Sequence, residues 1–258
     1  MNITETSLKK ASSLLAALFC VGLLSACATT DSVPDKNDKY AEIDSDPIEP
    51  LNRFIFQFNH IIDSIILKPV AQGYDAVVPD RGKVMVSNFV SNIKEPVTLV
   101  NSVLQTDPQN SFCTLWRFAI NSTVGIGGLF DAASEIGLKN RDTGFGDTLA
   151  IYGADAGPYI VIPILGPSNL RDGLGRLGDI VVDPVSYADN AVFYSIVGVK
   201  TVDGRYHTLK LLDDIYASSV DPYATIRSGY TQHRIAQIKF AKNARKKSLE
   251  AARAEGTK

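Results

Sequence analysis

Apolar residues stand at 51, 54, 55, 58, 61, 62, 65 and 66, while Asn52, Arg53, Gln57, Asn59, His60, Asp63 and Ser64 gather on the other side of a helical period. The spacing predicts an amphipathic helix over 51–67, interrupted only by Phe56. Its bulky side, built on Phe54, Phe58, Ile61, Ile62, Ile65 and Ile66, suits either a protein core or a shallow lipid interface, and periodicity does not separate the two. Lys68-Pro69 limits this helix, because proline disfavours helical backbone in the residue before it. Helical signal returns over 82–105, broken near Glu95-Pro96 and stopped at Asp107-Pro108, and again over an apolar stretch at 110–121. Further helices are predicted at about 188–198, 205–216 and 222–252, the last starting after Asp221-Pro222. Between these sets, Tyr159 to Leu165 is apolar and β-branched, yet Pro163 interrupts it and glycine-proline pairs bracket it. That composition describes a hydrophobic loop or hairpin better than a core strand. The tally favours an all-α domain with one long apolar loop.

The two ends of the chain read differently. Lys9 and Lys10 precede Ala11 to Leu24, a run of apolar and small residues that fits a secretory signal peptide and is short for a membrane span. It closes on Leu24-Ser25-Ala26-Cys27, which resembles the lipobox of bacterial lipoproteins, so Cys27 is expected to carry the lipid and to begin the mature chain. Ala28 is not the aspartate that retains such proteins in the inner membrane, and this points to the outer membrane. The organisation expected is therefore 1–26 cleaved leader, 27–46 polar flexible tether, 47–228 helical domain and 229–258 basic tail. Nine Lys/Arg against Glu250 and Glu255 lie from Arg227 onward, on a chain of net charge −2. The tail is open to three readings: a solvated helix end, a dock for an acidic soluble partner, or attraction to anionic head groups. Nucleic acid is not an expected target of a secreted, lipid-anchored chain.

Catalytic chemistry finds little support. Cys113 lies among apolar neighbours and reads as a small buried hydrophobe; His60, His207 and His233 stand alone, without metal-site spacing. Asp142-Thr143-Gly144 matches the aspartic-protease tripeptide but has no second copy. A Gly-x-Ser-x-Gly elbow is absent, and Gly125-Ile126-Gly127-Gly128 is no phosphate loop. The chain is not expected to be an enzyme or to need a cofactor or metal.

Four blocks, in order, carry a resemblance. They are Asp46-Pro47-Ile48-Glu49-Pro50-Leu51-Asn52-Arg53-Phe54, Ser87-Asn88-Phe89 through Glu95-Pro96, Gly157-Pro158-Tyr159 through Leu170-Arg171-Asp172-Gly173, and Ser219-Val220-Asp221-Pro222-Tyr223 with Arg227. In these the chain resembles the MlaA (VacJ) family of outer-membrane lipoproteins. The resemblance implies a ring-shaped all-α domain in the inner leaflet of the outer membrane, with an amphipathic channel and trimeric porins as neighbours. It also implies removal of stray phospholipid from the outer leaflet, handed to a soluble periplasmic carrier so that lipid asymmetry is kept. On that reading the polar face of the first helix (Asn52, Arg53, Asn59, Asp63) lines the channel. The loop carrying Gly153, Gly157, Pro158, Tyr159 and Gly166 is the expected gate or membrane-inserting element, unless it is simply a packed structural loop. A non-transporting scaffold lipoprotein that organises porins is the alternative.

Overall fold

The computed structural model describes residues 46–255; the leader, Cys27 and the tether up to residue 45 lie outside them. The elements are α1 (Glu49–Ile62), a π-helical turn (Asp63–Leu67), α2 (Lys68–Val77), α3 (Asp80–Leu104), α4 (Pro108–Thr123), α5 (Ala132–Glu135), α6 (Phe145–Ile151), β1 (Tyr159–Ile162), β2 (Gly166–Asn169), α7 (Leu170–Val182), a 3₁₀ turn (Pro184–Tyr187), α8 (Asn190–Ser218) and α9 (Pro222–Glu255). The domain is all-α apart from one antiparallel hairpin, in which Tyr159 pairs Asn169 and Ile162 pairs Gly166. Pro163 falls in the hairpin turn, where its missing N–H costs no ladder bond.

Several sequence breaks are not structural breaks. The chain stays helical through Lys68-Pro69, because the wider π turn passes the Lys68 N–H to the Asp63 carbonyl and Pro69 falls in the first turn of α2, where no N–H is needed. Pro96 lies inside α3, which runs on to Leu104 along the flank of α4. The expected helices 188–198 and 205–216 are one helix, α8, with Asp203 and Arg205 buried at its middle. Position 228/229 falls within α9. Cys113 is half-buried and free.

Helix packing is inverted relative to a water-soluble protein. In α4 the stripe Asn110, Thr114, Arg117, Asn121 faces inward, while Phe112, Leu115, Trp116 and Phe118 face outward. In α3 Asn92, Glu95, Thr98, Asn101 and Ser102 are buried, and in α7 Arg171 and Asp172 are buried while Leu174, Leu177, Ile180 and Val181 are exposed. Among the described residues, nine apolar side chains are buried against 23 polar or charged ones, the reverse of the usual preference. The apolar core is small: Tyr159, Val161 and Tyr223, with Ile55, Phe56 and Tyr230 against them.

Contacts between neighbouring elements run in a closed circuit from α1 to β1, through the hairpin to α7, then α6, α3, α8, α2 and back through the π turn to α1. Where α6 meets α7 the approach is backbone to backbone, since a Cβ built on Gly175 would stand 2.4 Å from the Gly146 nitrogen. Gly175→Ala is therefore expected to wedge the two helices apart and to cost about 2 kcal/mol. Gly73→Ala, in α2 with nothing within 4 Å, is expected to be neutral or slightly stabilising. Thermal unfolding followed by circular dichroism compares them; equal melting temperatures would refute the close crossing.

Candidate functional site

The first helix shows what inverted packing does with polar groups. Asn52, 1 % exposed, donates from its amide to the Tyr159 carbonyl (3.0 Å) and to Asp46 (2.7 Å), and accepts from the Val161 N–H (2.9 Å). Two turns along, Asn59 repeats the device: it donates to the Ile162 carbonyl (3.0 Å) and accepts from the Ile164 N–H (2.7 Å). A primary amide presents a donor and an acceptor side by side, as a neighbouring strand does, so two asparagines seven residues apart complete the open edge of β1 from a helix. Arg53 forks onto Asp221 (3.2 and 2.7 Å) and reaches Glu49 (2.7 Å); Asp63 receives Arg205 (2.6 and 3.0 Å). The hydrogen bond from Arg53 holds the Asp221 carboxyl below its ordinary range.

Of the residues expected to line a channel, Asn52 and Asn59 hold α1 to the hairpin, Arg53 reaches the start of α9 and also lines a cavity of about 290 Å³ with Gln57, His60 and Tyr216, and Asp63, in the π turn, receives Arg205 of α8. The helix's apolar side is outward instead, with Phe54 at 70 % and Ile65 at 69 % exposure and Leu51, Phe58, Ile61 and Ile66 also open. Among the described residues, protein does not cover that face.

The hairpin divides in two. Its base is held, with Tyr159 and Val161 buried against Tyr223 and Tyr230. Its tip is open, with Ile164 and Leu165 exposed. Gly157 and Gly166 take the left-handed conformation at the two ends of the hairpin (φ 65° and 79°), and Gly153 does so ahead of it (φ 96°). The Pro158 carbonyl accepts the first N–H of α7.

Two adjoining polar cavities lie within the helical domain. One of about 360 Å³ is lined by Lys94, Asp142, Asp147, Asp179, Asp183 and Gln237 among others; the second, of about 320 Å³, shares Asp142, Thr143, Asp147 and Gln237 and adds Arg141, Arg234 and Phe240. Asp142-Thr143-Gly144 belongs to their wall, with Gly144 as the N-cap of α6. Burial pushes the Asp179 carboxyl up against the opposing Phe145 N–H and Asn101 amide. Arg234, on the wall of the second cavity, bridges Asp172 of α7 (2.7 and 2.8 Å) and Asp147 of α6 (2.8 Å). Burial alone would raise the Asp172 carboxyl, but Arg234, Arg171 and the Tyr230 hydroxyl hold it at about 2. Nothing in the sequence reading singled out Arg234, Asp147 or the inward stripes of α3 and α4. Polar residues at helical spacing, Asn110-Thr114-Arg117-Asn121 above all, were the signal that could have found them.

Residues far apart in sequence meet here. Asp46 accepts from Asn52, from the Tyr223 hydroxyl and from Arg227 (3.2 Å), joining the first resemblance block to the last. Pro47 stands just ahead of α1, and Pro222 opens α9. Arg171 donates to the Ala154 carbonyl (3.2 Å) and to Asp172, tying the third block beneath the hairpin.

A family model described as MlaA lipoprotein matches residues 44–237. The chain belongs to this family. Its similarity to the protein "Intermembrane phospholipid transport system lipoprotein MlaA" is 33 % identity over 217 residues in Haemophilus influenzae, covering 82 % of this chain and 86 % of that one. The Escherichia coli K12 protein of the same name is 35 % identical over 194 residues, covering 73 % and 76 %. A protein of Rickettsia bellii is 42 % identical over 208 residues, covering 77 % and 78 %. The fold is similar to a solved structure described as "Structural basis for maintenance of bacterial outer membrane lipid asymmetry", with TM-score 0.67 and 34 % identity over 75 % of this chain and 99 % of that one. Membership in the MlaA family agrees with the all-α class expected from the sequence. The MlaA match stops at residue 237, whereas α9 continues to Glu255.

Proposed function

We propose that this protein removes phospholipid that has strayed into the outer leaflet of the outer membrane and passes it inward to a soluble periplasmic carrier, so that lipid asymmetry is kept. The observation that supports this is the inversion of the domain: apolar side chains outward, polar ones inward. Leaving the six outward residues of α1 and the π turn in water would cost on the order of 5–10 kcal/mol, a large share of a domain's stability, whereas acyl chains repay it. No helix among the described residues is long and apolar enough to cross a membrane. The domain on this reading lies in the inner leaflet, held by the lipid on Cys27, with a trimeric porin as neighbour.

The polar cavities provide what a head group needs on its way. Charged and amide groups of Lys94, Asp142, Asp183 and Gln237 replace water around it, while the acyl chains stay in hydrocarbon. The exposed hairpin tip, Ile164 and Leu165 between Gly153, Gly157 and Gly166, acts as the gate, moving against a base that stays packed. No bond is broken, so no nucleophile is required.

Cells lacking the gene are expected to accumulate outer-leaflet phospholipid. The anchored protein restores the low level, and a Cys27→Ala form does not. Unchanged outer-leaflet phospholipid in the deletion, together with disturbed porin assembly, would replace this reading with the scaffold one.

A further inference from the structure

The last third of α9 lies beyond the match to the family model, and it is basic: from 238 to 255 the chain has six Lys/Arg (Lys239, Lys242, Arg245, Lys246, Lys247, Arg253) against Glu250 and Glu255. At 100° per residue, Lys239, Lys242, Lys246 and Arg253 fall within an arc of about 60°. Ser248, 1 % exposed, falls on the opposite side of α9 and accepts from the Gln109 N–H (3.0 Å). Arg245 donates to the Gln105 carbonyl (2.5 Å) and to Thr106 (2.9 Å), with its guanidinium 5.8 Å from the centre of the Tyr152 ring. The helix end is thus pinned to the turn between α3 and α4.

That turn is flanked by exposed apolar and aromatic groups. Leu104 precedes it, Phe112, Leu115 and Trp116 follow it, and Tyr152 lies beside it. Tryptophan and tyrosine on an apolar surface settle at the level of lipid head groups, where the ring is half in hydrocarbon and its N–H or O–H is wet. The contact of Arg245 with Tyr152 places the basic third of α9 at that same level.

We infer that the basic end of α9, with Tyr152 beside it and Trp116 on the neighbouring helix α4, binds the anionic head groups of phospholipids in the leaflet where the domain lies. The inference rests on the embedding proposed above. Each exposed lysine near a charged surface strengthens attraction roughly fivefold, and the attraction is screened by salt. The effect enriches anionic lipid around one sector of the domain, next to Phe240 and the second cavity.

Trp116 is the only tryptophan of the chain, which makes the test direct. The full lipid-anchored protein is placed in phosphatidylcholine vesicles containing phosphatidylglycerol, with bromine on the acyl chains of one lipid or the other at equal mole fraction. Brominated phosphatidylglycerol is expected to quench Trp116 about twice as strongly at low salt. The ratio should return to one at high salt and in a Lys242→Gln/Lys246→Gln/Lys247→Gln variant, whose quenching by brominated phosphatidylcholine stays as in the unaltered protein. Equal quenching by the two lipids in the unaltered protein, or a preference that survives the triple substitution, overturns the inference and leaves the embedding intact. Absence of quenching by either lipid overturns both. Triple substitution that leaves the lipid ratio alone but abolishes binding of an acidic soluble protein reassigns the surface to a protein partner and overturns the inference as well.

Discussion

Arg117→Leu is expected to destabilise the domain by about 3–5 kcal/mol, the usual cost of leaving one member of a buried ion pair without the other. The guanidinium of Arg117 meets Glu95 (2.9 Å), the Ser134 hydroxyl (2.9 Å), the Leu138 carbonyl (2.6 Å) and Asp131 (3.2 Å), and both Arg117 and Glu95 are almost wholly buried. Removal strands four acceptors between α3, α4 and the α5 turn. Burial is the largest influence on the Glu95 carboxyl and holds it up at about 7, against the hydrogen bond and charge of Arg117. The folded state therefore keeps a proton that the unfolded chain sheds above its ordinary value of 4.5, so this group costs stability as pH rises from about 4.5 to about 7. Two outcomes follow for unfolding by denaturant in detergent micelles. The loss in Arg117→Leu should be larger at pH 8 than at pH 5. Glu95→Gln should gain stability relative to the unaltered protein across the same window, by on the order of 3 kcal/mol. A flat difference between the two proteins from pH 4.5 to 7 would mean that Arg117 keeps the carboxylate charged in the fold.

Asn52→Leu should be nearly as damaging, at about 3 kcal/mol or more. Leucine keeps the volume but leaves the buried Tyr159 carbonyl and Val161 N–H unpaired and takes one partner from Asp46. Buried groups stranded in this way cost about 1–3 kcal/mol each. Asn59→Leu meets the half-exposed end of the hairpin, where water replaces the lost amide, and should cost about 1 kcal/mol. The pair separates fold from gating. Asn59→Leu protein that is stable and correctly anchored should still alter phospholipid removal, because it frees the hairpin tip from α1. Wild-type lipid handling in Asn59→Leu cells at normal protein level would argue against the tip as a gate.

The sequence carried the helical class, the hairpin with its Pro163 turn and the amphipathic character of α1. Long-range pairing of blocks was visible only as resemblance, and Asp46 with Tyr223 and Arg227 shows its physical meaning. What periodicity could not tell was direction. A helix with one apolar and one polar side is the same string whether it is buried in protein or in lipid, and nothing in that string shows that Asn52 and Asn59 hold the edge of β1. Proline rules misplaced the breaks at 68 and 96: at 68 a π turn carries the helix past the proline, and at 96 the helix runs on through it.

The inverted packing also bears on how the chain reaches its place. For an ordinary domain, collapse in water and the native fold pull the same way, because the residues that flee solvent are the ones that end inside. Here Phe54, Ile65, Trp116 and Leu177 would be driven inward by collapse and belong outside. On the embedding proposed above, transit through an aqueous compartment is the hazardous stage of this protein's life, and the native state is reached only where hydrocarbon, not water, is the surrounding medium.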